Sequence, residues 1–325
     1  MAPERLVIRT GELVDGSGGP IARNQRIVIE HGVITSVAND TGDEPDGVVI
    51  DARRGTVSPG LVMTAVAPTS DASLEVLMRH GVTTVELVAG DIKALVATRD
   101  RIGVARHRGP RIVAGGVLAE ADSVQEMRNA VRKAAELSAE TVHLVRGDGV
   151  EEALCAFIDE AHAQDMQAMV TVDNAAALEA VRDCAAATVI WHAAYAPHLD
   201  PEPLREPPEV IVDVSSGLPS APLWQATAAL TGLSYDAHML VAATYSALVT
   251  RPVAAGLTRE GAMRALTNGP ALALGLGDAI GKIAKDYRAD LVVSEQDGTT
   301  AHVFIDGIDQ RLRPSSFLER FRGLD

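Results

Sequence analysis

Aromatic side chains are scarce: Phe, Tyr and Trp together make up 3% of the 325 residues. A core without them must be filled by Ala, Val, Leu and Ile, an aliphatic and β-branched supply that suits parallel strands covered on both faces. Cysteine is nearly absent as well. Cys155 and Cys184 each fall in a helical pattern, which predicts unpaired thiols, argues against a disulfide scaffold and points to a reducing cytoplasm. No apolar run approaches the ~18 residues needed to span a bilayer. The start MAPERLVIRT has no basic segment followed by an apolar one, so neither a membrane span nor a signal peptide is expected. Positive charge is also in deficit, with a formal net charge of −15. Such a surface repels phosphate backbones, which argues against nucleic acid and anionic membranes as partners.

Apolar material is plentiful, at 47% of the chain, and the length allows one barrel with a small appended domain. Residues 5–57 read as short strands with turns: RLVIRTGELV, the turn-rich DGSGGP, QRIVIEHGVITSVA and GVVIDARRGTV. DGSGGP lacks the lysine and the strand–helix setting of a phosphate loop and is read as a hairpin turn. These strands predict a small antiparallel β unit.

From residue 58 strands alternate with helical stretches, the rhythm of a parallel sheet with crossover helices. Eight strand candidates follow: 61–67, 83–88, 111–116, 141–145, 168–173, 188–193, 210–215 and 233–237. Helices are expected at 122–138, with Asp122 as N-cap, at 150–165, and around 240–255, 258–266 and 270–275. Eight strands with helical crossovers close into a (β/α)₈ TIM-type barrel. The segments GKIAKDYRADLVVSE and AHVFIDG return to strand rhythm, and the tail 311–325 is amphipathic, as a docked terminal helix would be. The expected division is a composite β-sandwich domain from 1–57 plus 279–325 and a barrel over 58–278, an α/β fold.

Barrel enzymes carry their reactive groups at the C-terminal ends of the strands. Those ends offer Glu86, His143, Arg146, Thr171, Asp173, His192 with Trp191 before it and Tyr195 beyond it, Asp213, Tyr235, Asp236 and His238. So many ionisable groups at one mouth exceed what a purely structural barrel needs. Met63, Met169 and Met239 sit at core spacing and are read as packing.

Several runs resemble the amidohydrolase superfamily, particularly its imidazolonepropionase-like and prolidase-like members. They are TVSPGLV (56–62), HGVTTVELVAGD (80–91), GPRIVAGG (109–116) and, nearly end to end, AGLTREGAMRALTNGPALALGLGDAIGKIAKDYRADLVV (255–293). The resemblance implies the same barrel and composite β domain. It also makes the departures informative. The family's metal-binding His-x-His pair on strand one falls on Ala65 and Ala67. Its strand-four lysine falls on His143, and its strand-five histidine on Thr171, with a second polar position on Asp173. The strand-six histidine and strand-eight aspartate match His192 and Asp236. Glu86 matches a loop-network position and is assigned no role.

A zinc-type site needs three or four N, O or S ligands, and an Ala methyl has no lone pair to give. The expectation is therefore an enzyme with no metal and no cofactor. Asp236 and His192 would be its proton-transfer groups, and His143, Asp173, Tyr195, Trp191 and His238 would contact a small, largely apolar substrate. Cyclisation, isomerisation, elimination or dehydration can run on such groups, and a place in specialised biosynthesis would suit them. Two other readings stand beside it. One is a non-catalytic binding protein. The other is a metal-dependent hydrolase of C–N bonds with relocated ligands drawn from His143, His192, Asp173, Asp236 and His238. The resemblance further implies self-association, a homodimer being its simplest form.

Overall fold

The computed structural model describes residues 3–43, 46–103, 108–119, 123–145, 151–172, 175–184, 188–192, 210–213, 231–234, 250, 252–254 and 256–311. The chain opens with four strands, β1 (Arg5–Leu13), β2 (Ala22–Glu30), β3 (Val33–Asn39) and β4 (Val48–Pro59). It passes at Gly60 into an alternating series: β5 (Leu61–Val66), α1 (Asp71–Arg79), β6 (Val82–Ala89), α2 (Ile92–Gly103), β7 (Arg111–Leu118), α3 (Val124–Glu136), β8 (Thr141–Val145), α4 (Glu151–Ala163), β9 (Gln167–Val172), α5 (Ala175–Cys184), β10 (Thr188–His192), β11 (Val210–Asp213) and β12 (Thr231–Ser234). Helices α6 (Arg259–Leu266) and α7 (Asn268–Ala273) then lead to β13 (Leu291–Ser294), β14 (Thr300–Ile305) and β15 (Ile308–Asp309).

Strands β5 to β12 pair in chain order, all parallel, and β12 comes round to lie against β5. All eight strands expected from the sequence form this sheet, the core of an α/β, TIM-like barrel. Its outer face and the helices share one apolar cluster that includes Met63, Leu74, Leu77, Phe157 and Val170. Inside, Val62, Val113, Met169 and Ile190 meet Ala271, Ala273, Leu274 and Ile280, so α7 and the turn after it close the barrel from within. Met63 and Met169 are fully buried packing residues, as read from the sequence.

The N- and C-terminal strands form one seven-stranded sheet in the order β15-β14-β13-β4-β1-β2-β3. Two details differ from expectation. The sheet is mixed, because β4 runs parallel to β1 while every other pairing is antiparallel. After the β2–β3 hairpin the chain returns along the far side of β1 instead of adding to β3. The described strands also make one sheet, not two stacked ones. Its apolar face, with Ile8, Ile27, Val57, Leu291 and Phe304, gathers into a single cluster.

The two sheets are tied by a buried charge. Arg111, at the start of β7, donates from Nη2 to both carboxylate oxygens of Asp290, at 3.3 and 3.0 Å, and to Asp306 at 3.1 Å. Asp290 also accepts the Asp306 backbone N–H at 2.8 Å.

Two local expectations are corrected. The N-cap of α3 is Ser123, not Asp122: the Ser123 hydroxyl accepts the Glu126 N–H at 3.3 Å, three residues on, as capping geometry requires. And the two cysteines are not unpaired. Cys155 of α4 and Cys184 of α5 form a disulfide, their Cα atoms 4.8 Å apart. The sequence placed each in a helix, but which faces of α4 and α5 meet is a packing outcome. The cysteines therefore no longer argue for a reducing compartment. No helix among the described residues is long and apolar enough to cross a membrane. The 194–209 connection, most of the expected 240–255 helix and the tail beyond 311 lie outside the described residues.

Candidate functional site

At the C-terminal end of the first barrel strand the ladder is irregular. Met63 pairs with Val85 and Val66 with Leu87, so Thr64 and Ala65 together face the single residue Glu86. This is a β-bulge, a device found beside active sites because it re-aims backbone and side chains. Ala65 takes φ 55°, a left-handed conformation that costs an L-residue roughly 1–2 kcal/mol. Its N–H, freed from the ladder, donates to Glu86 Oε2 at 2.9 Å.

Glu86 is wholly buried on β6, where an uncompensated carboxylate would be costly. It is compensated three times over. Beyond the Ala65 N–H, its Oε1 takes the Thr141 hydroxyl at 2.5 Å and stands 2.7 Å from His143 Nε2. Thr141 and His143 are both on β8, two strands away, and both are buried. The side chain reaches them over Gly115 of β7. A Cβ at Gly115 would stand 2.7 Å from Thr141 Oγ1 and 3.1 Å from Glu86 Oε1.

Burial pushes the Glu86 carboxyl upward, but attraction from His143 and the hydrogen bonds from His143, Thr141 and Ala65 outweigh it and hold it below the ordinary glutamate value. An ionised carboxylate only accepts, so His143 Nε2 is the donor. The pair thus fixes the orientation of the His143 ring.

The same geometry bears on a metal. Ala65 and Ala67, onto which the sequence resemblance places the family's His-x-His pair, have no lone pair to offer. Glu86 spends its oxygens on three donors, and His143 Nε2 carries a proton toward it. Among the described residues no group of three or more His, Cys, Asp or Glu side chains is placed to hold a metal ion. At these positions the side chains do not fit the family's metal centre.

Of the residues expected at the mouth, His143 is brought into this network. The backbones of Trp191 and His192 end β10, in register with Val212 and Asp213 of β11. Asp173, Tyr195, Asp236 and His238 lie outside the described residues. Glu86 is the residue that sequence reading passed over. Its signal was a carboxylate within the uncharged, β-branched-rich VTTVELVA run, with a histidine in the similar TVHLV two strands on.

With the geometry in place, comparison identifies the fold. Residues 225–308 match the sequence profile of the Amidohydrolase family. Over that stretch the chain is similar to the Amidohydrolase family. Nearly its whole length superposes on solved structures. A protein assigned as a prolidase, from Bifidobacterium longum, aligns with a TM-score of 0.78 at 21% identity, over 97% of this chain and 96% of that one. A molinate hydrolase gives 0.77 at 18%, over 98% of each chain. An Xaa-Pro dipeptidase with methionine bound in its active site gives 0.74 at 17%, over 94% and 99%. At such identities the likeness speaks for the fold alone. No curated protein matches the sequence.

Proposed function

We propose that this amidohydrolase-fold chain is an enzyme that acts on a small, largely apolar molecule by proton transfer, without the family's metal centre. Asp236 and His192 are its acid–base groups, and His143, Asp173, Tyr195, Trp191 and His238 contact the substrate. The observation that carries this reading is the bulge at Ala65. Where the family places imidazoles, this chain has methyl groups, and the freed Ala65 N–H is taken up by the Glu86 carboxylate that also holds His143. Reactions that need only positioned proton donors and acceptors fit such a site: cyclisation, isomerisation, elimination or dehydration.

One other reading has an observation in its favour. The fold neighbours include a molinate hydrolase and an Xaa-Pro dipeptidase, which supports a metal-dependent hydrolase whose ligands have moved to His192, Asp173, Asp236 and His238. Two measurements separate the readings. Protein purified without chelators is expected to carry far less than one equivalent of zinc, manganese or iron by elemental analysis. Mass-spectrometric screening of a small-molecule library should find products of unchanged mass or lighter fragments and dehydration products. Turnover should be lost in Asp236→Asn. Stoichiometric metal, or products whose masses together equal the substrate plus one water, would overturn the proposal in favour of hydrolysis.

A further inference from the structure

Away from the barrel mouth, β4 carries extra residues against β1. Thr10 pairs with Ala52 and Glu12 with Thr56, so Arg53, Arg54 and Gly55 face Gly11 alone. The bulge is braced on both sides by close backbone approach. A Cβ at Gly11 would stand 2.3 Å from the Arg53 carbonyl oxygen, and one at Gly55 2.1 Å from that of Ser294. The two arginines are therefore presented by a pinned backbone.

Beside the bulge lies a groove of about 530 Å³, lined by Arg23, Arg53, Arg54 and Arg259 together with Glu12 and Thr56. Glu12 is the one carboxylate among its lining residues, and it is divided. Its Oε1 meets Arg23 at 3.1 Å and its Oε2 meets Arg259 at 2.9 Å. The second arm of Arg259 donates to the Thr56 hydroxyl at 3.2 Å. Arg53 folds back on Asp51, donating from Nε at 2.9 Å. Arg54 is exposed and makes no ion pair with a described residue. Even with Asp51 counted beside Glu12, four guanidinium groups face two carboxylates.

This concentration of positive charge stands on a chain whose net charge is −15. Gathering like charges raises the energy of the free protein, and an anion bound among them removes that repulsion. Guanidinium forks match the oxygen spacing of phosphate and carboxylate and donate to them in pairs. We propose that the groove is a binding site for a small polyanion bearing phosphate or paired carboxylate groups, held by Arg54 and Arg23 with Arg259 behind them. Arg259 belongs to α6 and the bulge to the seven-stranded sheet, so the anion bridges the two. Binding is therefore expected to raise thermal stability by mass action.

The test uses the full chain at constant ionic strength, titrated calorimetrically with inorganic pyrophosphate and, separately, with citrate. Saturable one-to-one binding of either anion is expected. Pyrophosphate alone would assign a phosphate ligand, citrate alone a carboxylate ligand, and both together the shared chemistry. Arg54→Ala and Arg23→Ala should each weaken binding by about tenfold or more, with the melting temperature of the anion-free protein unchanged. The absence of saturable binding for both anions, or equal affinity in the wild type and both variants, would overturn the proposal.

Discussion

Glu86 Oε1 and His143 Nε2 stand 2.7 Å apart over Gly115, joining strands β6 and β8 across the strand between them. The link joins two buried polar side chains inside the barrel. It gives the barrel interior a fixed polar node beneath its mouth.

Removing one end of that node should be costly. Glu86→Ala strands the Ala65 N–H and the His143 ring in an apolar interior, and a loss of about 3–5 kcal/mol is expected for breaking a buried pair. Glu86→Gln retains an acceptor and should cost less, about 1–3 kcal/mol. Urea unfolding of the two variants measures both. A loss near zero for Glu86→Ala would mean that the pair does not form.

The pair also sets the acid limb of stability. The Glu86 carboxyl is held below its ordinary value, despite burial, by His143 and by its other hydrogen bonds. As pH falls, the unfolded chain takes up this proton first. The stabilising contribution is then complete above the unfolded value of about 4.3 and is lost as pH drops through the lower native value. The stability difference between wild type and Glu86→Gln should be constant near neutrality and should shrink in acid below that value. A difference that instead grew toward low pH would reverse the assigned direction.

Gly115 is predicted to be intolerant of any side chain. Its added Cβ would meet Thr141 Oγ1, Val88 Cγ1 and Glu86 Oε1 at 2.7, 2.8 and 3.1 Å. Gly115→Ala should cost about 1–3 kcal/mol, as overpacking does. Part of that cost should vanish in the double variant with Glu86→Ala, since a clashing partner is then gone. A double-mutant cycle reads this coupling, and strict additivity would argue against the crossing geometry.

The bond between Cys155 and Cys184 closes a loop between residues 29 apart in sequence. Constraining the unfolded chain over that span is worth about 3–4 kcal/mol in the chain-entropy account. Reductant should therefore lower the melting temperature of the wild type. Cys155→Ser should melt low with or without it. A wild-type transition indifferent to reductant would show that the bond contributes nothing.

The barrel was legible in one dimension. Runs such as TTVELV, TVHLV and AMVTV name strands through their own β-branched residues, and the alternation with helical stretches fixes parallel pairing, because a crossover helix returns the chain in the same direction. His143 could likewise be singled out as a polar residue in an apolar strand. Neither the role of Glu86 nor the need for glycine at 115 could be found this way. A carboxylate in β6 reads as an oddity until the sheet brings β8 within reach and β7 contributes no side chain to block the path.

Local pattern, then, determined the eight parallel strands, the helices between them and the alanines at Ala65 and Ala67. Each follows from residues only a few positions apart. Tertiary packing alone decided that Glu86 meets His143, that β4 lies parallel to β1 and that Cys155 faces Cys184. Those pairings depend on which faces and edges come together in space, and a hydrogen bond or a sulfur bridge forms only where the fold brings its two ends within a few ångströms.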